Sequence, residues 1–211
     1  MANYINKYAN QAAYDADDTK QFPNVSYLIE EDQYVLFNVT PLYATLTLND
    51  DTVIEVKKLE TKGLLTRDDV MEALGVVDES LISKIDITEQ VDKVAERCFN
   101  WTGYQYVRVN AKEIGDNAFQ FVNTNAIKRI EFGTNVQTLG SNIFNSVAVG
   151  KNKFISLNPT PATDNMSAFG NKSVYVYVPD DSVEDYKAEW RSISNYSTRI
   201  LPISQFTGKD F

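Results

Sequence analysis

Few residues of this 211-residue chain could carry catalytic chemistry. The sequence contains no histidine, which removes the most common general base and the most common metal ligand. A Ser-His or Cys-His mechanism is therefore excluded. The sequence also lacks a Walker-type phosphate loop, a glycine-rich dinucleotide loop and a Cys-x-x-Cys pair. It predicts a protein that is not an enzyme and that uses no cofactor.

One cysteine and several acidic clusters remain as reactive groups. Cys98 falls at a position of a repeated motif where the other copies carry Ala118 and Ile143, so we expect a small core residue rather than a nucleophile. The acidic clusters do not have the spacing of a calcium loop, and we interpret them as turn residues and helix caps. They are Asp15, Asp17 and Asp18; Glu30, Glu31 and Asp32; Asp50 and Asp51; and Asp180 and Asp181. A glycan hydrolase with two carboxylates about 5 to 9.5 Å apart is an alternative for which the sequence offers no recognisable pair.

Charge and aromatic residues indicate the class of partner. The net charge is −9, with 29 acidic residues against 20 dispersed basic ones, which argues against nucleic acid. No run approaches the roughly 20 apolar residues of a membrane span. We expect a protein partner, with a glycan on a host surface as a further candidate. Five aromatic residues could form a glycan platform, although sheet packing is the interpretation we favour: Trp101, Tyr104, Tyr106, Tyr175 and Tyr177.

An internal repeat dominates the second half of the chain. Residues 91–99, 111–119 and 136–144 superpose without gaps as a small apolar residue, two polar residues, an aliphatic residue, a small residue, polar residues and a final Phe. Short alternating apolar runs adjoin these copies and predict strands. The period of about 20 to 25 residues is that of a leucine-rich repeat with a parallel sheet. We expect a continuous core formed by Val94, Phe99, Ile114, Phe119, Leu139 and Phe144.

The flanking segments predict two caps. Residues 178–190 combine a proline, acidic residues and helically spaced Val183, Tyr186 and Trp190, which indicates a capping helix. Residues 43–48 and 52–56 predict a hairpin, and a short helix should follow from Thr66 to Leu74. The predicted fold class is therefore an α+β repeat solenoid. Its parts are an N-terminal arm (1–40), a hairpin–helix cap or small subdomain (41–79) and the solenoid with its C-terminal cap (80–211).

The arm is rich in aromatic residues but too short for a domain of its own. Such a segment becomes ordered by burying its apolar side chains on another surface. We predict that it binds a partner through Tyr4, Ile5, Tyr8, Tyr14 and Phe22.

The repeated motif resembles the BspA-like leucine-rich repeat family, in which an "IG-x-x-A-F" segment recurs. The copies around Ile114-Gly115 and Leu139-Gly140 carry this resemblance, whereas the first copy departs from it with Val94-Ala95. The opening, residues 2–8 and 12–14, resembles the N-termini of virion proteins of phages that infect Bacteroidales, including crAss-like phages. These resemblances imply a repeat region that projects from a particle to which the arm attaches.

The resulting expectation is a virion structural protein, either a head fibre or a capsid-decorating subunit. It would be made in the host cytoplasm, bind a capsid or other virion protein through the arm, and form a homo-oligomer, for which we expect a trimer. The absence of a basic segment followed by an apolar stretch at the N-terminus argues against secretion. The alternative is a bacterial cell-surface adhesion protein of the BspA-like type, which requires export.

Overall fold

The computed structural model describes residues 7–8, 25–30, 33–38, 40–58, 63–99, 104–119, 127–144, 153–164, 167–169 and 174–207. The chain divides into two compact units, Met1–Pro41 and Leu42–Phe211. Within the described parts of the chain, none of the helices has the length and hydrophobicity that a membrane span requires.

The first unit contains a small antiparallel sheet of β1 (Lys7–Tyr8), β2 (Val25–Glu30) and β3 (Gln33–Asn38), in the order β1-β3-β2. The sequence had predicted an arm here and no strands. Valine, isoleucine, tyrosine and phenylalanine dominate β2 and β3, and such residues favour paired strands. Of the predicted partner-binding residues, Tyr8 lies in β1. The other four, Tyr4, Ile5, Tyr14 and Phe22, lie outside the described residues.

The second unit carries thirteen strands and three short α-helices among its described residues. Its strands are β4 (Leu42–Leu48), β5 (Val53–Lys57), β6 (Gly63–Leu65), β7 (Ile82–Ile87), β8 (Val91–Val94), β9 (Tyr106–Val109), β10 (Glu113–Ile114), β11 (Arg129–Phe132), β12 (Thr138–Leu139), β13 (Lys153–Ser156), β14 (Thr163–Asp164), β15 (Tyr175–Val178) and β16 (Ile200–Pro202). Its α-helices are α1 (Arg67–Leu74), α2 (Val183–Glu189) and α3 (Tyr196–Arg199), and its 3-10 helices are Glu79–Leu81, Asp180–Ser182 and Ile203–Gln205.

The strands of this unit form two sheets. The larger sheet has the order β16-β15-β13-β11-β9-β7-β4-β5, in which the strands from β7 to β16 run parallel and β4 pairs antiparallel with β5 and β7. The smaller sheet, β14-β12-β10-β8-β6, is parallel throughout. The parallel chain-order pairing that the repeat predicts is confirmed for the larger sheet. The predicted hairpin is also present, but β4 attaches it to the main sheet as that sheet's antiparallel edge.

The smaller sheet is a correction to the single sheet that the repeat suggested. The repeated motif itself supplies its strands, because the aliphatic position and the residue before it pair with the same positions of the next copy. Thus Glu113 pairs with Lys93 and Thr138, and Ile114 with Val94 and Leu139. Strands of two residues are too short to show a period-two alternation in the sequence. Each repeat consequently contributes one strand to each sheet.

One hydrophobic cluster contains buried residues of both sheets, including all six residues expected in the repeat core. Their exposures are 3% or less: Val94, Phe99, Ile114, Phe119, Leu139 and Phe144. The rings of Phe99 and Phe119 are stacked with centroids 5.3 Å apart, and those of Phe119 and Phe144 are 5.4 Å apart. This column places each Phe against its counterpart in the next repeat. Packing between repeats therefore runs through the core of the unit.

A fourth copy of the motif follows the column, and its Phe169 contacts the rings of Phe154 and Trp190. Asp164 takes the aliphatic position and pairs in register with Leu139, and Phe169 ends the copy. Asp164 is 5% exposed, and its Oδ1 accepts hydrogen bonds from the backbone N–H of Ser167 (3.2 Å) and Ala168 (3.1 Å). Ser192 donates to its Oδ2. A buried carboxylate with these donors replaces an aliphatic side chain without leaving its oxygens unsatisfied.

The turn inside the motif explains its small residue and its Asn. A Cβ on Gly140 would lie 2.6 Å from the backbone N of Asp116, so the turns of successive repeats are stacked too closely for a side chain. Two positions later the backbone is left-handed in three copies, at Arg97 (φ 51°), Asn117 (φ 51°) and Asn142 (φ 50°). Asn adopts this conformation readily, whereas Arg does so at a cost.

Both predicted caps are helical. Helix α1 begins with a capping box in which Asp69 accepts from the Thr66 backbone N–H at 2.7 Å and Thr66 Oγ1 accepts from the Asp69 N–H at 3.2 Å, and Gly75 ends the helix. At the other end, α2 places Tyr186 and Trp190, both fully buried, against the last repeats. The ring of Trp190 contacts those of Phe132 and Phe169 at 6.0 and 5.2 Å. The aromatic face of this helix therefore closes the phenylalanine column.

Candidate binding site on the larger sheet

The outer face of the larger sheet is the surface that the repeats present together. Ile85, Val107, Ile130 and Phe154 are register partners in neighbouring strands and all lie in the hydrophobic core. Because side chains alternate along a strand, the next residue of each strand points to the opposite face. These residues form one row across the sheet, which we call the central row: Asp86, Arg108, Glu131, Ile155 and Tyr177.

The first half of the central row is an alternating series of charges. Arg108 lies between two carboxylates, with its Nη1 3.4 Å from Asp86 Oδ2 and its Nε 2.8 Å from Glu131 Oε1. Arg129 forms a second ion pair with Glu131, whose side chain is only 4% exposed. Two guanidinium groups thus hold the most buried carboxylate of the face in one orientation. Asp86, Arg108 and Glu131 were not predicted as site residues from the sequence, although the polar positions of the alternating runs carry them in the order acid, base, acid.

Burial raises the pKa of the Asp86 carboxyl above its ordinary value, because desolvation disfavours its charged form. The positive charges of Arg108 and Lys84 act in the opposite direction, and the neighbouring Glu131 carboxylate adds to the increase. Asp86 is therefore a carboxylate that an additional positive charge would stabilise.

The second half of the central row is covered by the C-terminal residues. Ile155 is 1% exposed although it lies on the outer face and outside the main hydrophobic cluster. The ring of Phe206 packs edge-on against Tyr177 with centroids 5.0 Å apart, and the Arg129 guanidinium lies 5.4 Å from the Phe206 ring centre. The part of the central row that remains accessible is therefore the part on β7 and β9, which carries Asp86 and Arg108.

A groove of about 500 Å³ occupies this open part, where the parallel strands end. Its floor is formed by side chains of the sheet and its rim by the segments that follow the strands. The lining residues are Leu42, Thr45, Asp86, Ile87, Thr88, Glu89, Arg108, Asn110, Glu131, Gly133, Thr134 and Leu157.

The rim of the groove is uneven because one of the segments that connect the two sheets is shorter than its neighbours. The register joins Ile87, Val109 and Phe132 in the larger sheet, and Lys93, Glu113 and Thr138 in the smaller sheet. Residues 88–92 and 133–137 connect the two sheets with five residues each, whereas 110–112 does so with three. The rim is therefore recessed at the middle repeat, between two longer segments. We call this recess the notch.

Asn110 fixes the base of the notch by bridging the two longer segments. Its Oδ1 accepts from the Asn135 N–H at 3.0 Å, its backbone oxygen accepts from Asn135 Nδ2 at 3.1 Å, and its Nδ2 donates to Glu89 Oε2 at 3.4 Å. A Cβ on Gly133 would lie 2.2 Å from Asn110 Oδ1, so a side chain at this position would displace the Asn110 amide. The shape of the notch consequently depends on these hydrogen bonds as well as on the shorter length of segment 110–112.

The other chemically reactive groups occupy structural positions. Cys98 is fully buried, and desolvation strongly raises the pKa of its thiol, which keeps it protonated. Asp50 accepts from the Thr52 N–H in a turn, and Asp180 accepts from the Ser204 N–H, both at 3.0 Å. In the part of the chain that the structure describes, no three Cys, Asp or Glu side chains are arranged to hold a metal ion.

Of the five aromatic residues considered as a glycan platform, three lie on the outer face of the larger sheet and one is buried. Tyr104 is fully buried, and its hydroxyl donates to the Phe99 backbone oxygen at 2.8 Å. Tyr106 and Tyr175 lie in a different row of the outer face from Tyr177. Trp101 lies outside the described residues.

Comparison with curated proteins found no match, and comparison with solved structures found none either. A protein-family model does match, with six copies of its repeat. The structure shows four copies of the motif that ends in Phe99, Phe119, Phe144 or Phe169. The match covers the strands from β7 to β15 and includes the notch. Residues 77–181 of this chain match the family model of the BspA type leucine rich repeat region.

Proposed function

We propose that this protein is a binding module without catalytic activity, built as a short leucine-rich-repeat solenoid. The observation that carries this proposal is the outer face of the larger sheet, where the repeats align the charges of Asp86, Arg108 and Glu131 beside an open groove. Parallel pairing fixes the spacing of these charges, so a partner would meet a surface that needs little ordering on binding. Neither sheet contributes a nucleophile or a general base with a partner suited to turnover.

We further propose that the module belongs to a virion, as a head fibre or a capsid-decorating subunit. The support is the resemblance of residues 2–8 and 12–14 to virion proteins of Bacteroidales phages and the many aromatic residues among residues 1–40. In this proposal residues 1–40 attach to the capsid or to another virion protein, the chain forms a homo-oligomer, and the repeat region projects outward.

Immunogold labelling tests this assignment against the cell-surface alternative. Antibodies raised against the purified chain would be applied to phage particles and to uninfected cells from cultures that carry the gene. Label on the capsids is expected. Label on the outer surface of uninfected cells, with none on the particles, would instead support a bacterial adhesion protein of the BspA-like type.

A glycan hydrolase is tested separately by incubation of the purified chain with a panel of oligosaccharides. We expect no reducing ends to be released. Release that disappears on substitution of a single Asp or Glu would refute the assignment as a non-catalytic module.

A further inference from the structure

The notch has the properties of a binding site for one particular chemical group. It combines a fixed charge pattern, an aliphatic wall and a rim that is recessed by two residues, all within a single groove. The charges of Asp86, Arg108 and Glu131 come from strands, the carboxylate of Glu89 and the aliphatic side chains come from neighbouring segments, and the recess comes from the length of one connecting segment. Together, the charges, the aliphatic side chains and the recess define which ligand class the notch can bind.

The charge of the lining favours a cation. Three carboxylates, those of Asp86, Glu89 and Glu131, line the groove against the single guanidinium of Arg108. Arg108 and Arg129 both hold Glu131, so a ligand would meet the carboxylates of Asp86, which shares Arg108, and of Glu89. Two carboxylates at the groove would repel an anionic ligand. A bare metal ion would have to approach the guanidinium that stands between the two carboxylates.

The apolar part of the lining favours a flexible hydrocarbon chain attached to that cation. Leu42 and Leu157 form it, and Leu157 is 39% exposed at the rim. Lysine and arginine bury their methylene stems along such surfaces and keep the charged end on polar groups. A sugar ring, by contrast, usually packs on an aromatic face, and each of the lining side chains is aliphatic, polar or charged.

We propose that the notch binds one basic side chain, lysine or arginine, presented by a protein partner, with its stem along Leu42 and Leu157 and its charge held by Asp86 and Glu89. The inference rests on the proposed binding function and narrows it to one partner chemistry. It also agrees with the overall charge of −9, which attracts a basic protein surface. The recess matters because it lets a side chain pass between residues 88–92 and 133–137 to reach Asp86.

The test is a titration of the ¹⁵N-labelled full-length chain, followed by amide chemical shifts, with the peptide acetyl-Gly-Lys-Gly-amide. The same peptide with glutamine in place of lysine is the neutral probe. We expect saturable shifts at the amides of Thr88, Asn110 and Thr134 with the lysine peptide, with a Kd of about 1 to 10 mM, which is the range for one small group. The glutamine peptide should give no saturable shifts at these amides.

Matched acid-to-amide variants then assign the contacts. Asp86→Asn and Glu89→Gln should each weaken lysine-peptide binding about threefold to fivefold, the loss expected for one partly exposed ion pair. Asp92→Asn is the control, because Asp92 is exposed on β8 of the smaller sheet, and its binding should equal that of the unaltered chain. Glu89 lies exposed at the rim, so Glu89→Gln carries the test even if Asp86→Asn disturbs the ion-pair series.

A fourth variant tests the recess itself. Insertion of Thr-Asn between Asn110 and Ala111 restores the five-residue length and should abolish the shifts. Equal binding of the glutamine peptide, unchanged binding in both acid-to-amide variants, or full binding in the insertion variant would each overturn the proposal. None of these outcomes depends on where the protein is located, so the notch proposal and the virion assignment are tested independently.

Discussion

Truncation of the central phenylalanine of the column should measure how strongly repeat packing stabilises the second unit. Phe119 is fully buried, and its ring is stacked between those of Phe99 and Phe144 at 5.3 and 5.4 Å. Phe119→Ala removes the burial of one large side chain and leaves a cavity between three repeats, which costs about 3 to 5 kcal/mol. This figure includes the two ring contacts, each worth about 0.5 to 1.5 kcal/mol.

Such a loss is a large part of the total, because domains are stable by only about 5 to 15 kcal/mol. Urea denaturation followed by circular dichroism measures it as a lower midpoint with an unchanged slope. Phe206→Ala is the matched control, since Phe206 is only partly buried and lies on the outer face, outside the column. A loss below about 1 kcal/mol for Phe119→Ala, or an equal loss for both variants, would refute the stacked-repeat account of the core.

Three further predictions concern the motif turn and the C-terminal helix. Gly140→Ala should destabilise the chain by about 1 to 3 kcal/mol, because its Cβ would meet the backbone of the preceding repeat, whereas the control Ala95→Gly should cost less than about 1 kcal/mol. The difference would appear in the urea midpoints, and equal losses of stability would contradict the prediction. Arg97→Asn should stabilise the fold by about 0.5 to 1 kcal/mol in the same assay, since its left-handed backbone suits Asn; a decrease would exclude this cause. Burial raises the pKa of Tyr186 from 10 to about 12, so the contribution of the neutral hydroxyl to the free energy of unfolding is complete below pH 10 and falls by up to about 3 kcal/mol as the pH rises through about 12. Tyr186→Phe should therefore lose less stability between pH 10 and 12 than the unaltered chain, and an identical pH profile would contradict this.

The repeat determined most of what could be predicted about the second unit. A period of about 20 to 25 residues with a terminal Phe requires that successive copies stack, because one copy cannot bury its own apolar face. This requirement yields the parallel chain-order pairing of the larger sheet and the column of Phe99, Phe119 and Phe144. The start of α1 at the Thr66 capping box and its end before Gly75 were also readable, because helix ends depend on local residues.

The smaller sheet, the fourth motif copy and the strands of the first unit were not predicted. Two-residue strands leave no periodic signal, and Asp164 breaks the motif although its hydrogen bonds let it occupy an aliphatic position. For the smaller sheet and for the fourth motif copy, the strand that pairs lies in another repeat, so the local sequence does not specify the pairing.

The candidate site shows the same division. The sequence by itself determined that the central row would carry Asp86, Arg108 and Glu131, because alternation along each strand assigns them to the face opposite the core. Only the tertiary structure decided that these residues form an ion-paired row and that the three-residue segment 110–112 opens a notch beside them. The reason is physical: a difference of two residues in length becomes a recess only when the register of both sheets holds the neighbouring segments on either side of it.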